Sequence, residues 1–243
     1  MAPLYLLQFA CLIVCSLLAL MLLVSRYHVR WLNRRNETSR WLLFTALCLQ
    51  TLHYGLQMWF GFRAQSDMHG TVSNILFYTP AAFLFSYAIW GIVCSRAALK
   101  RYAVVGGQAC LATLVVFFVG RTTGDGSGRG LLFYVMYALF VCSTLFFVIM
   151  PFREMHRRRC RIEDNTGSDI MPLVRYMWAG TVFFLAAALM FIIAMLDVDV
   201  LNVLGPLVLL SLFVFIQTFV SLGLSLLPTP EVVTDDEEDD DYN

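Results

Sequence analysis

Seven stretches of this chain are long and apolar enough to cross a bilayer, and none carries Asp, Glu, Lys or Arg in its middle. They run from about Leu4 to Ser25, Trp41 to Phe62, Val72 to Cys94, Tyr102 to Gly120, Leu131 to Phe152, Leu173 to Leu196 and Leu201 to Leu227. Roughly 20 apolar residues are needed to span the hydrocarbon core as a helix, and in lipid only helices and closed barrels satisfy their own backbone. The pattern predicts an all-α polytopic membrane protein, a seven-span helical bundle. Composition agrees: of 243 residues 59% are hydrophobic and 14% charged, with a mean hydropathy of +0.71, too apolar for a soluble domain.

The charges orient the bundle. The longest polar interruption, Pro151 to Arg175, holds Arg153, Arg157, Arg158, Arg159, Arg161 and Arg175, and short arginine-rich connections stay in the cytosol. Taken with the first (Arg26, Arg30, Arg34, Arg35, Arg40) and third (Arg96, Lys100, Arg101) connections, it accounts for 14 of the 17 basic residues. Only Arg63, Arg121 and Arg129 fall in the even-numbered connections. The alternation predicts the amino terminus outside and the carboxyl terminus inside. No Arg or Lys precedes the first apolar run, so an uncleaved first helix is expected rather than a signal peptide. Aromatics at the segment ends (Trp31, Trp41, Trp59, Trp90, Tyr102, Tyr176, Trp178) suit interfacial belts.

Residues 1–228 form the expected bundle and residues 229–243 a disordered acidic cytosolic tail. Eight of the seventeen acids lie in the last thirteen residues, so the net charge of zero hides +8 over the rest. Such a run buries nothing. The outer connections are short, and Gly120 to Gly130 lacks the Gly-Lys-Ser/Thr ending of a phosphate loop. Asn36-Glu37-Thr38 matches a glycosylation sequon by coincidence, being assigned to the cytosol. Gly106, Gly107 and Gln108 make the fourth span the weakest.

Several chemistries are excluded. Ion pumps, coupled transporters and voltage sensors rely on intramembrane charges, which the spans lack. Retinal needs a lysine in the last span, and the only lysine is Lys100. Six cysteines (Cys11, Cys15, Cys48, Cys94, Cys110, Cys142) lie in or at the ends of apolar segments as small hydrophobes, while Cys160 sits among arginines as a bystander thiol. No catalytic, metal or cofactor site is expected, and the chain reads as no enzyme.

The best polar constellation is Gln50, His53, Tyr54 and Gln57, spaced i, i+3, i+4 and i+7 on one helical face. The third span offers Asn74, Tyr78 and Thr79 beside Pro80, and the seventh begins with Asn202 and Gly205-Pro206. These residues predict a small outward-accessible polar cavity centred on His53, whose residue type titrates near physiological pH, or else interhelical hydrogen bonding alone. Gln217, Ser221 and Ser225 make a second stripe, read as coupling to the tail or as small-residue packing. The arginine-rich connections suit anionic lipid headgroups.

The segments ETSRWLLF (Glu37 to Phe44), NILFYTPAAF (Asn74 to Phe83), Phe152 to Gly180 and GPLVLLSLFVF (Gly205 to Phe215) resemble the membrane portion of bacterial AraC-type regulators. In these, a multi-span amino-terminal domain precedes a cytosolic helix-turn-helix. The resemblance implies a bacterial inner-membrane sensor or anchor controlling a DNA reader. This sequence ends at Asn243 without a helix-turn-helix, so direct nucleic-acid binding is not carried over. The expected role is a non-enzymatic sensory or anchoring module in signal transduction. It would relay a membrane or small-ligand state to a cytosolic output such as a transcription regulator. Its expected partners are the bilayer, that output and a second copy in a homodimer. The alternative is a small-solute transporter or channel, which predicts an internal repeat that the two halves do not show.

Overall fold

The computed structural model describes residues 2–25, 34–61, 67–93, 96–122, 130–166, 171–194 and 201–224. They form seven helices and no strand: α1 (Ala2–Val24), α2 (Arg34–Phe60), α3 (Asp67–Val93), α4 (Arg96–Thr122), α5 (Leu131–Thr166), α6 (Met171–Ala194) and α7 (Leu201–Leu224). Six of them, all but α2, are long and apolar enough to cross a membrane. The chain is therefore an all-helical membrane protein. The acidic tail, Ser225, Trp31 and most of the glycine-rich connection lie outside the described residues.

α2 falls short because Thr45, Gln50, Thr51, His53 and Gln57 interrupt its apolar residues. Its position is nevertheless fixed along its whole length. Near one end, Gln57 meets Gln8 of α1 and Asn74 of α3; near the other, Arg40 meets Leu22 of α1 and Ser39 meets Ala88 of α3. α2 thus lies antiparallel to both neighbours.

Packing closes a ring in the order α1, α2, α3, α5, α6, α7 and back to α1, with α4 outside it against α3 and α5. In lipid no hydrophobic force drives helices together, so close packing and buried polar bonds must do so. The core supplies both. Phe183 stacks on Phe215 (5.7 Å, 4°), which stacks on Tyr176 (5.3 Å, 16°), and Phe85 meets Phe183 edge-on. Gly180 lets this layer close, because a Cβ there would lie 2.6 Å from Ile89 Cδ1. On the other side Tyr102 of α4 donates to Ser86 Oγ (2.5 Å), which donates to the Phe147 carbonyl of α5 (2.9 Å).

The contacts bring the basic helix ends together. The amino-terminal ends of α2, α4 and α6 share one end of the bundle with the carboxyl-terminal ends of α1, α3 and α5, and Arg121 lies at the other.

Three features differ from what the sequence predicts. α5 does not stop at Phe152 but continues to Thr166. Arg, Glu and Met are good helix formers, and the helix continues past Pro151, so the arginine-rich stretch is helical rather than a loop. Trp90, Tyr102 and Tyr176 are not belt residues: all three are buried in the core, whereas Trp41, Trp59 and Trp178 are exposed as a belt requires. Gln217 and Ser221 lie exposed on the outer face of α7 and not in a helix interface.

Candidate functional site

The six residues singled out on α2 and α3 divide into two groups. Gln57 and His53 join a closed polar cluster with Asn74. Gln8 Nε2 donates to Gln57 Oε1 (3.1 Å), and Gln57 Nε2 donates to Asn74 Oδ1 (2.6 Å), which lies 3.0 Å from His53 Nε2. A carboxamide oxygen only accepts, so His53 carries a proton on Nε2; its Nδ1 then accepts from Ser73 Oγ at 3.4 Å. His53 is fully buried, stacked on Phe77 at 4.8 Å and edge-on to Tyr78. The cluster ties three helices together, and Gln8 is the member that α1 contributes.

Gln50, Tyr54 and Tyr78 face a different space. They line a cavity of about 70 Å³ at the centre of the ring, to which every helix except α4 contributes. Its walls are mainly apolar: Phe85, Phe140, Phe183 and Phe184 with Ala82 and Leu212. Tyr54 and Tyr78 share a hydroxyl hydrogen bond of 2.8 Å at its edge. His53, Gln57 and Asn74 do not line it, so the cavity is centred away from the imidazole.

Thr144 of α5, which the spacing of polar residues did not single out, completes the polar part of the lining. Gln50 is 7% and Thr144 8% exposed, and Gln50 Oε1 and Thr144 Oγ1 have no hydrogen-bond partner among the described residues. A buried oxygen left unpaired costs roughly 1–3 kcal/mol, and lipid offers no water to relieve it. Among the described residues no Asp, Glu, Lys or Arg lines the cavity. It can accept hydrogen bonds inside an aromatic wall, and it cannot compensate a charge.

Other polar residues stay local. Thr79 donates to the Ile75 carbonyl within α3, which runs unbroken through Pro80. Asn202 Oδ1 is buried without a partner among the described residues, and Gly205 is covered by Leu7. Among the described residues Cys11, Cys15, Cys48, Cys110 and Cys142 form no disulfide. Among the described residues no three His, Cys, Asp or Glu side chains gather as a metal site would require.

Among the described residues the one buried cation lies at the basic end. Arg40 is fully buried, donating from Nε and Nη2 to Glu37 (3.0 and 2.6 Å) and from Nη1 to the Leu22 carbonyl (2.9 Å). Glu37 also accepts from Trp41 Nε1 (2.9 Å). Asn36 of the sequon is itself buried, with Oδ1 unpartnered among the described residues. Comparisons of the chain with protein-family models, with curated proteins and with solved structures return no match.

Proposed function

We propose that this chain is a non-enzymatic sensory or anchoring module that crosses the membrane seven times, amino end outside and carboxyl end inside. It relays the state of its central cavity to a cytosolic output such as a transcription regulator. The antiparallel fit of α2 between α1 and α3 supports the seventh crossing. The gathering of basic helix ends at one end of the bundle supports the orientation, by the preference of such residues for the cytosol. The resemblance to the membrane portion of AraC-type regulators supports a DNA-binding output and a bacterial inner membrane.

The observation that carries the relay is the continuity of α5. One unbroken helix of 36 residues holds Phe140 and Thr144 in the cavity wall and continues to Thr166. At 1.5 Å per residue it is about 54 Å long, against a hydrocarbon core of about 30 Å. A tilt or shift imposed at Thr144 is carried along this helix toward Thr166, about 33 Å of helical rise away, across Pro151, which removes one backbone hydrogen bond on the way.

Filling the cavity without a ligand tests this. In the full chain in lipid nanodiscs, Thr144→Leu should change amide hydrogen exchange across residues 153–166 relative to wild type. Unchanged exchange there, in a variant that remains folded, contradicts the relay.

A further inference from the structure

We infer that the central cavity binds a small, neutral, mainly apolar molecule bearing a hydrogen-bond donor, held by Gln50 Oε1 and Thr144 Oγ1 against the aromatic wall. This names a ligand class for the cavity that the proposed relay would sense, and so it rests on that reading.

Three observations define the class. The first is charge: with no ionised side chain in the lining among the described residues, an ion entering would lose its hydration without compensation, a cost of many kcal/mol. The second is size. About 70 Å³ is several times the ~10–15 Å³ that one water needs, enough for one small organic molecule. The walls of Phe85, Phe140, Phe183 and Phe184 favour an apolar body, and an aromatic ring packs edge-on or offset against such faces.

The third is polarity. Gln50 and Thr144 both line this cavity, and Gln50 Oε1 and Thr144 Oγ1 both lack a partner among the described residues, although their side chains are more than nine-tenths buried. A carboxamide oxygen accepts and cannot donate. The group that satisfies it must therefore bring its own N–H or O–H, as an alcohol, a phenol or an amide does. The two oxygens come from α2 and α5, so a ligand held by both would bond the helix of the polar cluster to the helix that leaves the bundle. Occupancy would then bear directly on α5.

The test uses two fluorinated probes of nearly equal volume, 4-fluorophenol and 4-fluorotoluene, which differ in exchanging a hydroxyl donor for a methyl group. Fluorine NMR titration of the full chain in nanodiscs, with empty nanodiscs subtracting partition into lipid, reads saturable binding. The expected result is saturable 4-fluorophenol binding that is tighter than 4-fluorotoluene binding by about 3- to 10-fold, the range of one net hydrogen bond. The paired substitutions Gln50→Leu and Thr144→Val should erase that preference. The hydroxyl-to-methyl change in Thr144→Val nearly preserves volume, and the wild-type comparison of the two probes stands even if the double variant fails to fold.

Equal affinity for the two probes, a preference that survives the double substitution, or saturable binding of tetramethylammonium in place of 4-fluorophenol each overturns the assignment. Absence of saturable binding also overturns it, while the exchange response of residues 153–166 to Thr144→Leu tests the relay separately.

Discussion

Arg40 Nη1 donates to the main-chain carbonyl of Leu22 at 2.9 Å, fastening the first turns of α2 to the last turn of α1. The last carbonyls of a helix have no partner within it, and a cation there also meets the negative end of the helix dipole. Glu37 neutralises the guanidinium from three residues upstream, with side-chain exposures of 0% for Arg40 and 26% for Glu37. Arg40 is therefore a structural clasp and not a free charge of the basic surface.

Removing that cation should be costly. Arg40→Leu is expected to destabilise the bundle by about 3 kcal/mol, because it leaves Glu37 partly buried without its cation and leaves the Leu22 carbonyl with the Ser25 hydroxyl alone. Glu37→Gln, which keeps acceptor capacity, should cost less. Reversible unfolding in mixed micelles measures both. A loss under about 0.5 kcal/mol for Arg40→Leu, the scale of an exposed ion pair, would mean that the clasp contributes nothing.

Asn74 matters more than His53 in the cluster shared by α1, α2 and α3. Its Oδ1 serves both Gln57 and His53, and interhelical hydrogen bonds in membranes average roughly 0.6 kcal/mol each. Asn74→Leu should cost about 1 kcal/mol or more, and His53→Leu, which keeps the Gln57–Asn74 bond, less. Unfolding of the two variants decides the order. The reverse order would assign the imidazole a role beyond this network.

Adjacent glycines on α4 should respond oppositely. A Cβ on Gly106 would collide with the Phe83 ring, which is wedged against Tyr87, Tyr102 and Phe147, whereas Gly107 has open space around it. Gly106→Ala is expected to cost about 1–3 kcal/mol by overpacking. Gly107→Ala should be neutral or stabilising by up to about 1 kcal/mol through helix propensity. Thermal unfolding distinguishes the pair, and equal effects would contradict the packing of α4 on α3.

The apolar intervals were legible in the sequence because backbone satisfaction in lipid forces each into a helix. The α5 extension was not, since arginines mark a loop in hydropathy yet are good helix formers. Position along the chain gave no warning at Trp90, Tyr102 and Tyr176 either: an aromatic at a span end suits an interface or a core equally, and only packing decides. The polar stripe on α2 was visible through its spacing, but not its division between a closed cluster and a cavity. Gln8 and Thr144 each stand out little in an apolar run. Gln8 had one usable signal, since antiparallel neighbours place it level with Gln57. Glu37, three residues before Arg40, was the signal for the clasp.

The proposed crossing of α2 carries the rest, because it would place the cavity inside the membrane and fix which end of α5 meets the cytosol. Single cysteines at Thr38 and Trp59, near its two ends, can be challenged with a membrane-impermeant maleimide in vesicles of known sidedness. If α2 crosses as proposed, Trp59→Cys is labelled only from outside and Thr38→Cys only from inside. Labelling of both from the same side would contradict it.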